Sequence, residues 1–201
     1  MHGVLMPGWE MLLLRQRLQR NGFNCCLFRY SSRRRSPAEN AAHLEKVLQG
    51  SARGNPLHFV AHSLGGIVLA HLFAGDRWTA DGRVVLLGSP LAGSCTARQL
   101  DRFRCGRWLL GQSLDGGLAG GAPEWPAGRE TLVIAGNRGP GVGQLLTCGR
   151  LPHPSDGTVT VAETWSRHIS NNQLMPVSHS GLLLSRQVAD SVASFLRNES
   201  V

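Results

Sequence analysis

Apolar positions in the first quarter of the chain alternate between helical and strand-like spacing. Apolar residues at helical spacing predict a helix over Trp9–Gln19, and the dipeptide Asn21-Gly22 supplies its stop signal. A short apolar and aromatic run predicts a buried strand over Phe23–Tyr30. A second helix is predicted to begin at Ser36-Pro37, because proline is favoured in the first helical turn.

The same alternation continues through the rest of the chain. Apolar runs predict strands over Leu57–Ala61, Arg83–Leu87 and Thr131–Ala135, and helical spacing predicts helices over Leu64–Phe73 and Gly181–Arg197. Continuously apolar strands separated by helices are typical of a mostly parallel sheet that is covered on both faces. We therefore expect an α/β fold whose active site lies at the carboxyl ends of the strands.

Two stretches depart from this pattern. The region 91–128 is rich in glycine and is interrupted by Pro123, Trp125 and Pro126, which predicts either a lid over a cleft or an irregular insertion. A parallel sheet also calls for an apolar strand before His2-Gly3, so we expect that the first strand is truncated and that translation starts further upstream, with a first strand that is truly absent as the alternative. With 201 residues, the whole chain 1–201 is expected to form a single domain.

The charge of the chain is strongly positive, at +8, and all but one of its 21 basic residues are arginine. The one dense basic run, Arg33-Arg34-Arg35, is interpreted as a solvated loop, with contact to an anion or a membrane surface as the alternative. No RNA-binding aromatic motif, zinc-finger spacing or basic heptad accompanies it, so no nucleic-acid partner is expected. The oligomeric state is not indicated by the sequence.

Five cysteines are present, and their spacing matches no metal site. They include no C-x-x-C pair, so neither a metal nor another cofactor is predicted. We expect reduced thiols and a cytoplasmic protein, with a Cys95–Cys105 bridge as the alternative. No apolar run approaches the roughly 18 residues of a membrane span, and no secretion signal is seen at the start of the sequence.

The most informative segment runs from Leu57 to Gly66, where a predicted strand ends, a serine follows and a helix begins at once. This order predicts a nucleophile elbow at Ser63, with Ala61 in place of the first glycine of G-x-S-x-G. The N–H of Leu64 would then lie at the start of a helix, where it can stabilise an oxyanion. The second oxyanion donor is predicted to be the N–H of Val4, after His2-Gly3.

A serine nucleophile requires a general base, and the base is predicted to be a histidine late in the chain. His179 is favoured because it lies in a polar turn just before the last predicted helix, whereas His153 and His168 lie in stretches predicted to be exposed. His62, beside the nucleophile, is interpreted as a packing residue or as one that supports the site residues from behind, because neighbouring side chains of a strand point to opposite faces.

The acid that would orient this base is predicted to be Asp156. It lies in a turn after the Thr131–Ala135 strand and precedes His179 by enough residues for the chain to return. Asp115 is the alternative acid and Glu163 a third candidate.

Taken together, these motifs resemble those of the α/β-hydrolase superfamily. More narrowly, they are similar to those of bacterial lipase-like serine hydrolases related to the inositol-deacylase (PGAP-type) lipases. The matching segments, which span almost the whole chain, are His2-Gly3, Ala61-His62-Ser63-Leu64-Gly65-Gly66, Gly88-Ser89-Pro90, Asp156-Gly157-Thr158-Val159 and His179-Ser180-Gly181.

The resemblance implies a Ser63–Asp156–His179 triad and cofactor-free hydrolysis of a carboxylic ester, either lipid-like or with a small acyl group. The absent first strand, Ala61 and a short substrate-covering region depart from the family pattern. The alternatives are a thioesterase or amidase, since one triad serves all three reactions, or a catalytically inactive relative. Such a relative would use its arginines to bind an acidic partner or a membrane surface, and peripheral membrane contact is open for the enzyme as well.

Overall fold

Four parallel strands form the sheet at the centre of the molecule. The structure, a computed structural model, describes residues 1–49, 56–74, 78–79, 81–149 and 151–198. The strands lie side by side in chain order: β1 (Phe59–His62), β2 (Val84–Leu87), β3 (Thr131–Gly136) and β4 (Asn171–Met175). The carboxyl ends of all four therefore meet at one edge of the sheet, as the sequence predicted for an α/β fold.

Eight α-helices surround the sheet within the described ranges. They are α1 (Leu12–Arg20), α2 (Pro37–Gln49), α3 (Leu64–Phe73), α4 (Cys95–Asp101), α5 (Arg104–Leu110), α6 (Val142–Leu146), α7 (Gly181–Leu184) and α8 (Arg186–Arg197). Short 3₁₀ turns precede α1 and follow α5, and a third lies at Ala162–Thr164.

Alternate side chains of the fully buried strand β2 divide the core between the two faces of the sheet. Val84 and Leu86 belong to an apolar cluster with residues of α2 and α3, whereas Val85 and Leu87 belong to a cluster with residues of α1, α7 and α8. Both faces are thus covered by helices, which explains why this strand is continuously apolar.

The prediction of a strand over Phe23–Tyr30 is wrong, because this segment pairs with no strand of the sheet. Along the outer edge of β1, hydrogen bonds run instead to Met1, whose amino group donates to the Val60 carbonyl at 2.7 Å and whose carbonyl accepts from the His62 N–H at 3.1 Å. The segment still packs like a strand. Phe23, Cys25 and Leu27 contact one apolar cluster, and Phe28 and Tyr30 contact the other.

Part of the region 91–128 is helical, since it contains α4 and α5. The hydroxyl of Ser94 caps α4 by accepting from the Ala97 N–H at 3.2 Å. Leu110 and Leu114 pack against Leu64 and Ile67 of α3, so this region lies over the start of the helix that follows the predicted nucleophile. Whether it acts as a lid stays a prediction.

The end of the chain also differs from the predicted pattern. Strand β4 was not predicted, because its Asn171-Asn172-Gln173 start is polar and largely exposed. The terminal helix predicted over Gly181–Arg197 is divided at Ser185, an extended residue whose hydroxyl caps α8.

The thiols of all five cysteines are free, so the alternative Cys95–Cys105 bridge is not formed. Among the helices of the described ranges, none combines the length and the apolar character needed to cross a bilayer.

Candidate active site

Ser63 occupies a strained turn between β1, which ends at His62, and α3, which begins at Leu64. Its backbone angles are φ +53° and ψ −122°, a conformation that costs a non-glycine residue about 1–3 kcal/mol. The Ser63 N–H donates to the Leu87 carbonyl at 2.9 Å, which extends the pairing of β1 with β2 into the turn. The serine thus lies at the carboxyl edge of the sheet in the geometry of a nucleophile elbow.

The loop that begins with His2-Gly3 lies directly against this serine. A Cβ atom added to Gly3 would lie 3.2 Å from the Ser63 Cβ atom and 3.2 Å from the His62 Nδ1 atom, so this position suits glycine. Val4, the next residue, packs against the apolar cluster that contains Leu64. The two predicted oxyanion residues therefore lie near each other, and the roles of their N–H groups stay predictions.

His2 is clamped by Tyr30. The His2 Nε2 atom accepts from the Tyr30 N–H at 3.2 Å, so the proton lies on Nδ1, which donates to the Gly3 carbonyl at 2.8 Å. The Tyr30 hydroxyl donates to the His2 carbonyl at 2.6 Å, and the two rings stack with their centroids 4.1 Å apart. Burial lowers the pKa of His2, which favours the neutral ring that this pattern requires. No sequence pattern indicated that Tyr30 supports the loop, since only the fold brings it there.

Asp156 and His179 form a buried, hydrogen-bonded pair. The His179 Nδ1 atom lies 2.6 Å from the Asp156 Oδ2 atom, and the side chains have relative exposures of 11% and 1%. The second carboxylate oxygen, Oδ1, accepts from the N–H groups of Thr158 at 2.9 Å and Val159 at 2.7 Å. The backbone N–H of His179 also donates to the backbone carbonyl of Asp156 at 3.0 Å. This pair fixes the imidazole ring and leaves its Nε2 atom available for chemistry.

His62 supports His179 from the side of the nucleophile. Its ring is completely buried, lies 4.6 Å from the His179 ring between centroids, and donates from Nε2 to the His179 carbonyl at 3.2 Å. Burial, and after it the neighbouring His179, hold the pKa of His62 well below 6.5. His62 is therefore neutral at pH 7 and adds no positive charge beside the predicted base, and its contact with His179 corresponds to the supporting alternative of the sequence interpretation.

Gly88 makes room for the Asp156–His179 pair. It follows β2 with φ +54°, and an added Cβ atom would lie 3.1 Å from both the Asp156 Oδ2 atom and the His179 Nδ1 atom, and 2.8 Å from Leu182. A side chain here would displace the pair, so glycine is required by both conformation and space. The Gly88-Ser89-Pro90 motif was the only sequence signal for this position.

The structure thus brings Asp156 and His179, which follow β3 and β4, into direct contact and places Ser63 at the end of β1, at the same edge of the sheet. His62, which precedes Ser63, contacts His179 and so links the two parts of the site. No hydrogen bond from the Ser63 hydroxyl is found among the described residues, so its bond to His179 stays a prediction. Catalytic hydrogen bonds are often long before substrate binds.

The other acids and bases considered from the sequence lie elsewhere. Asp115 is exposed, and Glu163 is buried with its carboxylate accepting from the N–H groups of Cys95 and Thr160. Glu163 therefore connects α4 to the turn that carries Asp156, which is a structural task. His153 is exposed, and His168 contacts Arg167.

No cluster of three or more histidine, cysteine, aspartate or glutamate side chains suited to a metal ion occurs in the parts of the chain that the structure describes.

Comparison with known proteins identifies the fold. Neither a family model nor a curated protein sequence matches the chain. Among solved structures, the mature form of the lipase BlEst2 from Bacillus licheniformis matches with a TM-score of 0.68 and 18% identity over 96% of this chain and 89% of that chain. Phospholipase PlaB from Legionella pneumophila, in complex with thio-NAD, matches with a TM-score of 0.65 and 16% identity over 98% of this chain and 60% of that chain.

A third similar structure is a pyrethroid hydrolase from Sphingobium faniae JZ-2, with a TM-score of 0.59 and 15% identity over 98% of this chain and 95% of that chain. Likeness at such low identity concerns the fold and not the reaction. Together with the parallel sheet flanked by helices, these matches show that the chain has the α/β-hydrolase fold, as the sequence motifs predicted.

Proposed function

We propose that this protein is a serine hydrolase that cleaves carboxylic esters, lipid-like or with a small acyl group, through Ser63, His179 and Asp156. The observation that carries the proposal is the buried 2.6 Å contact between His179 and Asp156 at the sheet edge where Ser63 occupies a strained elbow. The solved structures of similar fold include a lipase, a phospholipase and a pyrethroid hydrolase, which supports ester hydrolysis in general.

In the proposed mechanism, the His179 Nε2 atom removes the proton of the Ser63 hydroxyl as the serine oxygen attacks the ester carbonyl. The N–H groups of Leu64 and Val4 stabilise the resulting oxyanion, and Leu64 does so from the positive end of the α3 dipole. The loss of one such donor would raise the barrier by about 2.7–4 kcal/mol. His179 then donates its proton to the leaving alcohol and next activates the water that hydrolyses the acyl-enzyme.

Asp156 stabilises the imidazolium that forms on His179 during each proton transfer. The N–H groups of Thr158 and Val159, which bind its second oxygen, keep the carboxylate in place. The neutral His62 lies beside His179 and does not oppose the positive charge that forms on His179. The site therefore supplies a nucleophile, a base and an acid from this chain's own residues. On the motifs of the sequence, we also propose a relation to the inositol-deacylase-like lipases. On the five free thiols, we propose a cytoplasmic location.

The direct test is labelling with a fluorophosphonate probe together with hydrolysis of p-nitrophenyl butyrate. The wild-type protein should be labelled and active, whereas Ser63→Ala should lose labelling and about six orders of magnitude in kcat. Ser170→Ala, which removes an exposed hydroxyl before β4, serves as the matched control and should behave as the wild type. A folded wild-type protein that is neither labelled nor active would instead favour the non-catalytic relative that binds an acidic partner.

A second measurement separates the reactions that share this triad. The values of kcat/KM for a butyryl ester, the matching thioester and the matching anilide should rank the ester first. A preference for the thioester or the anilide would keep the triad but replace esterase by thioesterase or amidase.

A further inference from the structure

Helix α5 and the residue before it carry three large apolar side chains that face solvent. Phe103, Trp108 and Leu109 are 57%, 65% and 37% exposed. Arg104 and Arg107 lie between Phe103 and Trp108 in the sequence, Arg102 directly precedes Phe103, and all three arginines are exposed as well. Large apolar side chains that are exposed close together often mark an interaction site.

The basic run of the sequence joins this patch. The Arg33 Nε atom donates to the Trp108 carbonyl at 3.0 Å, and the Arg33 guanidinium carbon lies 3.7 Å from the centroid of the Trp108 ring. The Arg33 carbonyl accepts from the Gln112 N–H at 3.0 Å, just after α5. The basic run therefore meets α5 at Trp108, and we call the exposed side chains of residues 33–35 and 102–109 the arginine–aromatic surface.

This surface is strongly positive. It contains six arginines, and the nearest acidic residue in the sequence, Asp101, is bound by Arg107 at 2.7 and 3.0 Å. Arg34 and Arg35 are exposed. Alternating arginines and large apolar side chains match the composition of segments that lie in a membrane interface.

The buried side of α5 reaches the candidate active site. Leu110, at the end of α5, is 2% exposed and packs in the apolar cluster that contains Leu64 and Val4. The same helix thus has an inner side in the apolar cluster of the predicted oxyanion residues and an outer side on the arginine–aromatic surface. A partner bound to that surface would lie beside the site.

We propose that the arginine–aromatic surface docks the protein onto membranes rich in anionic phospholipid, with Trp108, Phe103 and Leu109 in the acyl boundary and the arginines on the headgroup phosphates. Docking there would deliver ester substrates from the membrane, a consequence that rests on the proposed function. A single-stranded nucleic acid would also meet arginines and aromatic rings, but it offers no apolar phase for the aliphatic Leu109, so a membrane fits all three exposed groups better.

The test is binding of the full chain to sedimentable vesicles made of equal parts of phosphatidylglycerol and phosphatidylcholine, with pure phosphatidylcholine vesicles as the neutral comparison. The protein should bind the anionic vesicles and not the neutral ones. Arg34→Glu/Arg104→Glu should weaken binding by at least about 25-fold, since each arginine near such a membrane contributes about fivefold. Trp108→Ala should weaken it by about tenfold.

Matched controls come from outside this surface. Arg20→Glu/Arg186→Glu makes the same charge change at two exposed arginines on α1 and α8, and Trp165→Ala removes a tryptophan that is 61% exposed. Both controls should retain binding. Equal losses in the controls and the surface variants, or no binding to anionic vesicles, would overturn the proposal. Tighter binding of a single-stranded oligonucleotide through the same residues would overturn it in favour of a nucleic-acid site.

Failure of this proposal and failure of the proposed function give different results. Ser63→Ala should bind anionic vesicles as the wild type does, because binding does not need the nucleophile. Conversely, Arg34→Glu/Arg104→Glu should hydrolyse soluble p-nitrophenyl butyrate at the wild-type rate and lose hydrolysis of esters carried in the vesicles.

Discussion

The Asp156→Asn substitution is the sharpest test of the Asp156–His179 pair, because the structure predicts how the new amide must orient. The Oδ1 position accepts two N–H groups, from Thr158 and Val159, so the amide oxygen has to take this position. The amide nitrogen then faces the His179 Nδ1 atom, where Oδ2 lies 2.6 Å away in the wild type. It donates to Nδ1, which moves the ring proton to Nε2.

With Nε2 protonated, His179 can no longer accept the proton of Ser63. The expected loss in kcat is about four orders of magnitude, which corresponds to about 5.5 kcal/mol in the activation barrier. The fold should be affected much less, since the two bonds to Oδ1 remain and the bond to His179 is replaced by another. We expect the free energy of unfolding to fall by no more than about 2 kcal/mol.

The assay is the steady-state hydrolysis of p-nitrophenyl butyrate, combined with urea unfolding of the same preparations. Asp115→Asn provides the matched control, because it makes the same change at the exposed acid that was the main alternative, and it should keep wild-type kcat. An Asp156→Asn protein that is folded and retains more than about a tenth of wild-type kcat would refute the tautomer argument and with it the role of Asp156.

Two further predictions concern stability. In Gly66→Ala the added Cβ atom would lie 2.4 Å from the Ser89 Oγ atom, so we expect urea unfolding to show a free energy of unfolding that is lower by about 1–3 kcal/mol. Adding Ser89→Gly should restore that stability in the double variant, and a Gly66→Ala protein as stable as the wild type would contradict this. Folding lowers the pKa of His62 well below 6.5, its value in the unfolded chain. Below pH 6.5 the unfolded chain therefore binds more protons than the folded one. The stability present above pH 6.5 is lost as the pH falls from 6.5 towards the folded-state pKa of His62. Urea unfolding between about pH 7.5 and pH 5.5 should show a slope of up to about 1.4 kcal/mol per pH unit from this residue, which His62→Gln removes; equal slopes in the two proteins would contradict the prediction.

The elements nearest the nucleophile were predictable because their signals are local. Apart from one histidine in each, β1 and α3 consist of apolar residues and glycine, and the small residues Ala61 and Gly65, two positions before and after Ser63, permit a tight turn. A strained turn of this kind depends on its immediate neighbours and not on distant contacts. The order of strand, serine and helix could therefore be predicted from about ten consecutive residues.

Elements defined by their partners were not predictable in the same way. The Phe23–Tyr30 segment has the side-chain pattern of a strand, but a strand exists only where a neighbour supplies hydrogen bonds, and these bonds on β1 go to Met1. β4 shows the reverse case, since its polar Asn171-Asn172-Gln173 start gave no signal, yet it pairs with β3 in parallel register. The helices α4 and α5 have only seven residues each, too few to establish a helical period.

The candidate acids show why such a site is only half determined by sequence. Three acidic side chains lay at suitable positions before His179, and composition does not distinguish a carboxylate that orients a base from one that caps backbone. The difference lies in the second oxygen. Each carboxylate gives one oxygen to an N–H of its own turn, but the other oxygen of Glu163 accepts from the Cys95 N–H, whereas the other oxygen of Asp156 faces His179. The Asp156 carboxylate is held by its own turn independently of His179, which suits it to set the tautomer of His179. Which groups the two oxygens of a carboxylate contact depends on the path of the backbone, so only a structure can distinguish these roles.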